Sequence, residues 1–266
     1  MDTPNIGSDF HNVPFAAVMS DALGVPAFLD RDTNVAALGE HAFGAAKDED
    51  DFIYLTVSTG VGGAIMLGGE LVHGPDGLAG ELGHVPVSLD GPRCGCGGLG
   101  HVEAFASGAG LAKLAAAAVA NGDSPYLAGR AKEIGADNLS AVDVAAGDKA
   151  GDPGCVALMT RARRAVSVGC AGYVNEFNPH RIVVGGSIAE AEGERLLGEI
   201  RKTIREETFQ SLSRLVTVVP AGLGGDVSLA GAQPLVMSRL RGHARSTNQT
   251  TQRPAMPIAV PGGTHP

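Results

Sequence analysis

The stretch DFIYLTVSTGVGGAI, residues 51–65, decides the architecture. Residues 51–59 are dense in β-branched and aromatic side chains, which suit a buried pleated surface and predict a strand. Glycines follow at once, at Gly60, Gly62 and Gly63. Backbone N–H groups in such a turn can point at phosphate oxygens, and Thr56, Ser58 and Thr59 add hydroxyls. An ordinary hairpin built from small residues is the other reading of the same stretch. A Walker A loop is not the explanation, because G-x-x-x-x-G-K-[ST] does not occur. The strand continues into GVGGAIMLGGELV (60–72), a hairpin with Gly68-Gly69 as its turn.

Upstream, residues 12–23 predict a helix, with Asn12 as cap, Pro14 in the first turn and Gly24 as stop. VPAFLD (25–30) predicts a strand ending at Asp30, and 33–46 a helix with Val35, Leu38, Ala42 and Phe43 at core spacing. Downstream, 74–100 reads as loop, and a helix runs from 101 to 120 until Asn121-Gly122 ends it. A short helix at 140–147 starts from Ser140, and a long one at 152–177 breaks at Asn178-Pro179. RIVVGG (181–186) is a buried-type strand, followed from Ser187 by a helix to Thr208, a strand in LVTVVPAG (215–222) and a last helix over 228–241. The polar, Pro-rich tail 242–266 is expected to be disordered. Strands alternating with helices define an α/β protein.

Composition bounds the function. With 266 residues, 44% of them hydrophobic, the chain can bury a core without disulfide staples. It has no apolar run of about 18 residues to span a membrane, and its start has no basic end leading into an apolar core, so a secretion signal is not expected. A net charge of −9, no Trp and 4% aromatic residues make nucleic acid a poor partner. The 39 glycines gather in a few motifs, which suggests tight turns and close backbone approach to ligands. The four cysteines, without a secretion signal, fit a reducing cytoplasm.

His84, Cys94, Cys96 and His101 lie close together in a glycine-rich segment. All four side chains bind Zn²⁺, and four protein ligands make a closed, structural site. A loop with free thiols and surface imidazoles is the bland alternative. Asp32 lies where a sheet edge meets a helix, a place where α/β proteins bind ligands. Asp30 or Asp32 could equally cap the helix. Glu81 and Glu103 flank the metal segment, and a metal folding that loop could bring both carboxylates to one pocket; spacing alone says little. Gly185, Gly186 and Ser187 form a second strand-to-glycine turn, able to sit against a nucleotide, although such turns also occur without a ligand.

Taken together, DRDTNVAALGE (30–40), TVSTGVGGAI (56–65), GPDGLAGELGH (74–84), CGCGGLGHVEAFAS (94–107) and VVGGSIA (183–189) resemble the ROK family of repressors and sugar kinases. The resemblance covers about residues 2–237. It implies an actin-like, ribonuclease-H-like ATPase fold of two α/β lobes, here mainly the larger lobe. It implies ATP-dependent phosphorylation of a hexose, most simply glucose to glucose 6-phosphate, with Mg²⁺ and a structural Zn²⁺. Asp32 would be the general base. Glu81, His84 and Glu103 would bind sugar hydroxyls, with Asn34 supporting that wall. Thr59, Gly60, Gly62 and Gly63 would match a phosphate loop, and Gly185, Gly186 and Ser187 would lie by adenosine. His84, Cys94, Cys96 and His101 would hold the zinc. A homodimer is the expected assembly.

The sequence departs from the family pattern at particular points. His101 stands where the family has a cysteine. Arg31 stands where the family has a sugar-contacting Asn, and it could still donate to a sugar hydroxyl as part of the substrate site. An Asp-x-Gly-Gly-Thr phosphate loop is not found. On this reading 1–46 is a remnant of the first lobe and hinge, 47–241 the large lobe and 242–266 the tail. The alternatives are a sugar-responsive repressor of the same family and a non-catalytic sugar-binding protein.

Overall fold

The computed structural model describes residues 13–250, with side chains placed as far as residue 240. Its elements, in chain order, begin with α1 (Phe15–Leu23), α2 (Asp32–Phe43), β1 (Phe52–Val57), β2 (Val61–Leu67) and β3 (Glu70–Leu71). There follow α3 (Val102–Ala106), α4 (Gly108–Asn121), α5 (Pro125–Ile134), α6 (Ala141–Lys149) and α7 (Pro153–Phe177). The chain continues through β4 (Arg181–Gly185), α8 (Ser187–Glu192), α9 (Glu194–Glu207), α10 (Gln210–Ser213), β5 (Thr217–Pro220) and α11 (Val227–Thr250). The larger compact unit is Asp30–Ala232; the smaller takes in the residues before Asp30 and after Ala232. Within the smaller unit α1 buries none of its residues.

The larger unit is built on a mixed sheet in the order β3-β2-β1-β4-β5. β1 pairs antiparallel with β2 and parallel with β4, so that Thr56 faces Gly62 on one side and Gly185 on the other. This register brings the glycine turns after β1 and β4 to the same edge of the sheet, the carboxyl ends of its parallel strands. Period-2 alternation along β1 sends side chains to opposite faces. Ile53, Leu55 and Val57 join the core made with α7 and α9 residues such as Val166, Tyr173, Leu196 and Ile200. Phe52 and Tyr54 point to the other face, with Ala36 and Ala37 of α2.

α7 starts where it does for local reasons. Pro153 occupies the first turn, and the Asp152 carboxylate accepts from the Cys155 amide at 3.0 Å. It stops at Asn178, which takes the left-handed conformation at φ 48°.

Several sequence expectations are corrected. Residues 25–30 form no strand: Val25 is a bend and 26–30 have no ladder partner among the described residues. The helix expected over 101–120 is interrupted at Ser107, which caps α4 with its own side chain. The helix expected over 187–208 is broken at Gly193, at φ 51°. α5 was not foreseen. It buries Leu127 and packs Ala131 and Ile134 against the core, and its start is marked by the Ser124 cap and Pro125 in the first turn. The last helix passes residue 241 and reaches Thr250, so residues 242–250 are helical rather than irregular. The proposed Asn12 cap and the tail 251–266 lie outside the described residues. No described helix is long and apolar enough to cross a membrane.

Candidate active site

The 58–60 turn is supported by the start of α4. Gly108 N donates to Ser58 O at 2.8 Å and Ala109 N to Thr59 O at 3.2 Å. The missing side chains at Gly62 and Gly63 are used by packing: a Cβ would come within 2.8 Å of Thr33 Cγ2 and 2.5 Å of Leu82 Cδ1 respectively. These glycines let the first turn of α2 and the 82–84 turn close directly on β2. At Gly186, φ is 94° and a Cβ would meet Val57 O at 2.5 Å. Ser187 Oγ lies 3.1 Å from Ser58 Oγ. The two glycine turns singled out in the sequence therefore touch.

The segment 84–101 folds on itself through backbone bonds, including Val87 N to Gly100 O at 2.8 Å and Cys94 N to Gly98 O at 2.8 Å. Tyr173 Oη donates to Leu82 O at 2.5 Å and ties this segment to α7. One ligand atom from each of His84, Cys94, Cys96 and His101 lies within 4.8 Å of all the others. Cys94 Sγ is 3.6 Å from His84 Nδ1, and Cys96 Sγ is 3.3 Å from His101 Nδ1. A tetrahedral Zn²⁺ with ordinary Zn–S and Zn–N lengths separates neighbouring ligand atoms by about 3.3–3.8 Å. Number, softness and spacing of donors all fit zinc. Burial, with the Glu103 carboxylate nearby, pushes the Cys94 thiol up to about 11. A cation is what would make its thiolate form favourable.

Glu103, on α3, reaches both features. Its Oε2 accepts from Val61 N at 3.0 Å, and its Oε1 is 3.5 Å from Cys94 Sγ. The carboxylate thus bridges the Cys/His loop and the start of β2.

The DRD motif divides its labour. Asp30 has a side chain only 5% exposed. It accepts from Asn34 Nδ2 at 2.7 Å, from the Arg31 amide at 2.8 Å and pairs with His73 Nε2 at 2.8 Å. Asp32, by contrast, is exposed at the first residue of α2, with Oδ1 bonded to Thr33 N at 2.8 Å. Neither side chain caps α2, whose N-cap is Arg31. Asn34, expected on the sugar wall, is 1% exposed and turned to Asp30. Its Oδ1 is buried without a hydrogen-bond partner among the described residues. Arg31 Nη2 lies 3.0 Å from Glu81 Oε1, and the guanidinium also donates to the carbonyls of Ala79 and Gly80. Glu81 Oε2 is 3.9 Å from His84 Nε2.

Arg31, Glu81, His84, Cys94, Cys96, His101 and Glu103 are therefore joined in one chain of contacts, and Thr33 packs beside Gly62. The sequence reading passed over Asp30's internal role and His73 altogether. A lone His after a hairpin carries no signal of a partner 43 positions earlier.

A family model described as the ROK family matches residues 1–239, and the chain belongs to that family. Its mixed α/β sheet with flanking helices is the actin-like ATPase fold of ROK sugar kinases. The glucokinase of Thermotoga maritima is 34% identical over 90% of this chain and 74% of its own length. A xylose repressor of Bacillus spizizenii is 27% identical over 88% of this chain, which spans only 56% of the repressor. The crystal structure of a ROK hexokinase from Thermus thermophilus superposes with a TM-score of 0.74 at 33% identity, covering 86% of this chain and 71% of the other. A ROK glucokinase from Streptomyces griseus, in complex with glucose and AMPPNP, gives 0.67 at 34% identity, covering 82% and 70%.

Proposed function

We propose that this chain phosphorylates a hexose with ATP, and that the hexose is glucose. The observation that carries the reading is the arrangement of carboxylates. Asp32 is exposed and solvent-facing, while its neighbour Arg31 holds Glu81 and Glu103 bridges the Cys/His loop to the β1–β2 hairpin. Family membership and the glucokinase relatives support the same reaction class.

In this mechanism Asp32 takes the proton from the sugar hydroxyl as that oxygen attacks the γ-phosphate. Glu81, His84 and Glu103 accept or donate hydrogen bonds to the other hydroxyls, which fixes the attacking oxygen. The Thr59-Gly60 turn offers backbone amides to phosphate oxygens, with Val61 N already given to Glu103 and Gly62 and Gly63 held on β2, and the adjoining Gly185-Gly186-Ser187 turn lies against the nucleoside. ATP would arrive with Mg²⁺, which neutralises phosphate charge. Zn²⁺ held by His84, Cys94, Cys96 and His101 would supply rigidity to the loop that presents Glu103 and His84.

The test is coupled-assay turnover of several hexoses by the wild type and Asp32→Asn. Loss of a general base lowers the rate by about 10²–10⁴-fold. Equal rates in both proteins would reject Asp32 as the base. The match to xylose repressors supports a second reading, a sugar-binding regulator. That reading requires sugar binding by calorimetry, xylose included, with no consumption of ATP.

A further inference from the structure

The segment 73–81 crosses from β3 to the metal loop with little of its own to hold it. Gly74, Gly77 and Gly80 take positive φ of 70°, 73° and 89°, and Leu78 is 60% exposed. Among the described residues its internal backbone bonds are Gly77 N to Gly74 O at 3.4 Å and Ala79 N to His73 O at 3.0 Å. What fixes it comes from the DRD motif. Buried Asp30 grips His73 at the beginning, and Arg31 grips the end through Ala79 O, Gly80 O and Glu81 Oε1. The Arg31 side chain is 16% exposed, against 48% for Glu81, so the guanidinium lies beneath the carboxylate rather than over it.

We infer that Arg31 is a positioning residue that sets sugar selectivity through Glu81. A planar guanidinium can serve several acceptors in one plane, whereas an ammonium cannot reproduce that fork. With Oε1 held by Arg31, Glu81 keeps one orientation and leaves Oε2, 3.9 Å from His84 Nε2, as its remaining acceptor. A sugar hydroxyl must then come to a fixed acceptor, and an epimer that places its hydroxyl elsewhere cannot draw the carboxylate after it. Arg31 thus acts as the support of a rigid acceptor, and the strap behind it is kept from adapting. This rests on the sugar-kinase reading above.

The experiment compares the wild type with Arg31→Met, Arg31→Lys, Glu81→Gln and the Arg31→Met/Glu81→Gln double variant, each checked for an intact thermal transition. Steady-state kinetics are measured with glucose, mannose and galactose, and backbone hydrogen exchange is followed over 74–81. Arg31→Met is expected to raise the sugar KM about tenfold, to leave the ATP KM within about twofold, and to narrow the kcat/KM ratios between epimers. Arg31→Lys should not restore them. The double variant should be no worse than the poorer single variant, because the residues act as one unit. Exchange over 74–81 should quicken about tenfold in Arg31→Met while β1 stays protected. Unchanged exchange, additive effects of Arg31→Met and Glu81→Gln, or equal rises in sugar and ATP KM would overturn the inference. If the wild type turns over no hexose yet the strap still loosens in Arg31→Met, the kinase reading fails and the selectivity role falls with it, while the strut stands.

Discussion

Asp30 and Asp32 are two positions apart, and helix geometry gives them opposite fates. Asp30 precedes α2, turns inward and is spent on Asn34, His73 and the Arg31 amide. Asp32 begins the helix and remains at the surface. Burial alone would raise the pKa of Asp30, but the hydrogen bonds from Asn34, His73 and Arg31 outweigh it and hold the carboxyl below its ordinary 3.8. A group held down in the folded state contributes stability that is present above its unfolded pKa and is lost as pH falls through the folded one. Asp30→Asn is therefore expected to cost about 1–3 kcal/mol near neutral pH. The difference should shrink once pH drops below about 4. Denaturant titrations of both proteins at neutral and acid pH check this; a gap that stays constant into acid would show that the charge of Asp30 is not what matters.

At the scale of elements, α2 is held by close backbone contact. A Cβ at Gly231, in the first turns of α11, would come within 1.8 Å of Val35 O, and one at Gly39 within 2.6 Å of Val227 O. Alanine improves helix propensity by about 1 kcal/mol, but forcing extra atoms into a packed contact costs about 1–3 kcal/mol or more. The clash here is with backbone, which cannot step aside, so the steric cost wins. Gly231→Ala should lower the melting temperature by several degrees, at about 2–4 °C per kcal/mol for a domain of this size. Gly129→Ala on α5, where a Cβ would meet nothing within 4 Å, is the matched control and should hold or raise it. Similar melts for the two variants would mean that α2 is not clamped this way. The elements legible in advance were those with a local signature: β1 from its β-branched and aromatic run, the hairpin from Gly68-Gly69, and α7 from its apolar stripe and its Asn178-Pro179 stop. The helix breaks at Ser107 and Gly193 and the unforeseen α5 carry marks of their own, a Ser107 cap, a glycine at positive φ and a Ser124-Pro125 start, but each mark is a single residue that a reading by periodicity passes over.

At the scale of the molecule, the Cys/His loop joins α7, α3 and the β1–β2 hairpin through Tyr173 and Glu103. Purified protein is expected to carry about one zinc per chain. Chelation should lower the melting temperature, because a ligand bound only to the folded state stabilises it by mass action. Cys96→Ser should lose the metal, whereas His101→Cys should keep it. Less than about half an equivalent of zinc in the wild type would count against the site.

Local chemistry along the chain was enough to determine the α/β class, the glycine turns, the metal-type donor set and the acidic residue at the start of α2. Those features depend on neighbours a few positions away. Only the folded protein decided that Asp30 turns inward and Asp32 outward, and that Arg31 pairs with Glu81. The partners that decide them include groups brought in from distant points, 43 positions away for Asp30 and His73, and no periodicity encodes which of several donors a carboxylate will meet.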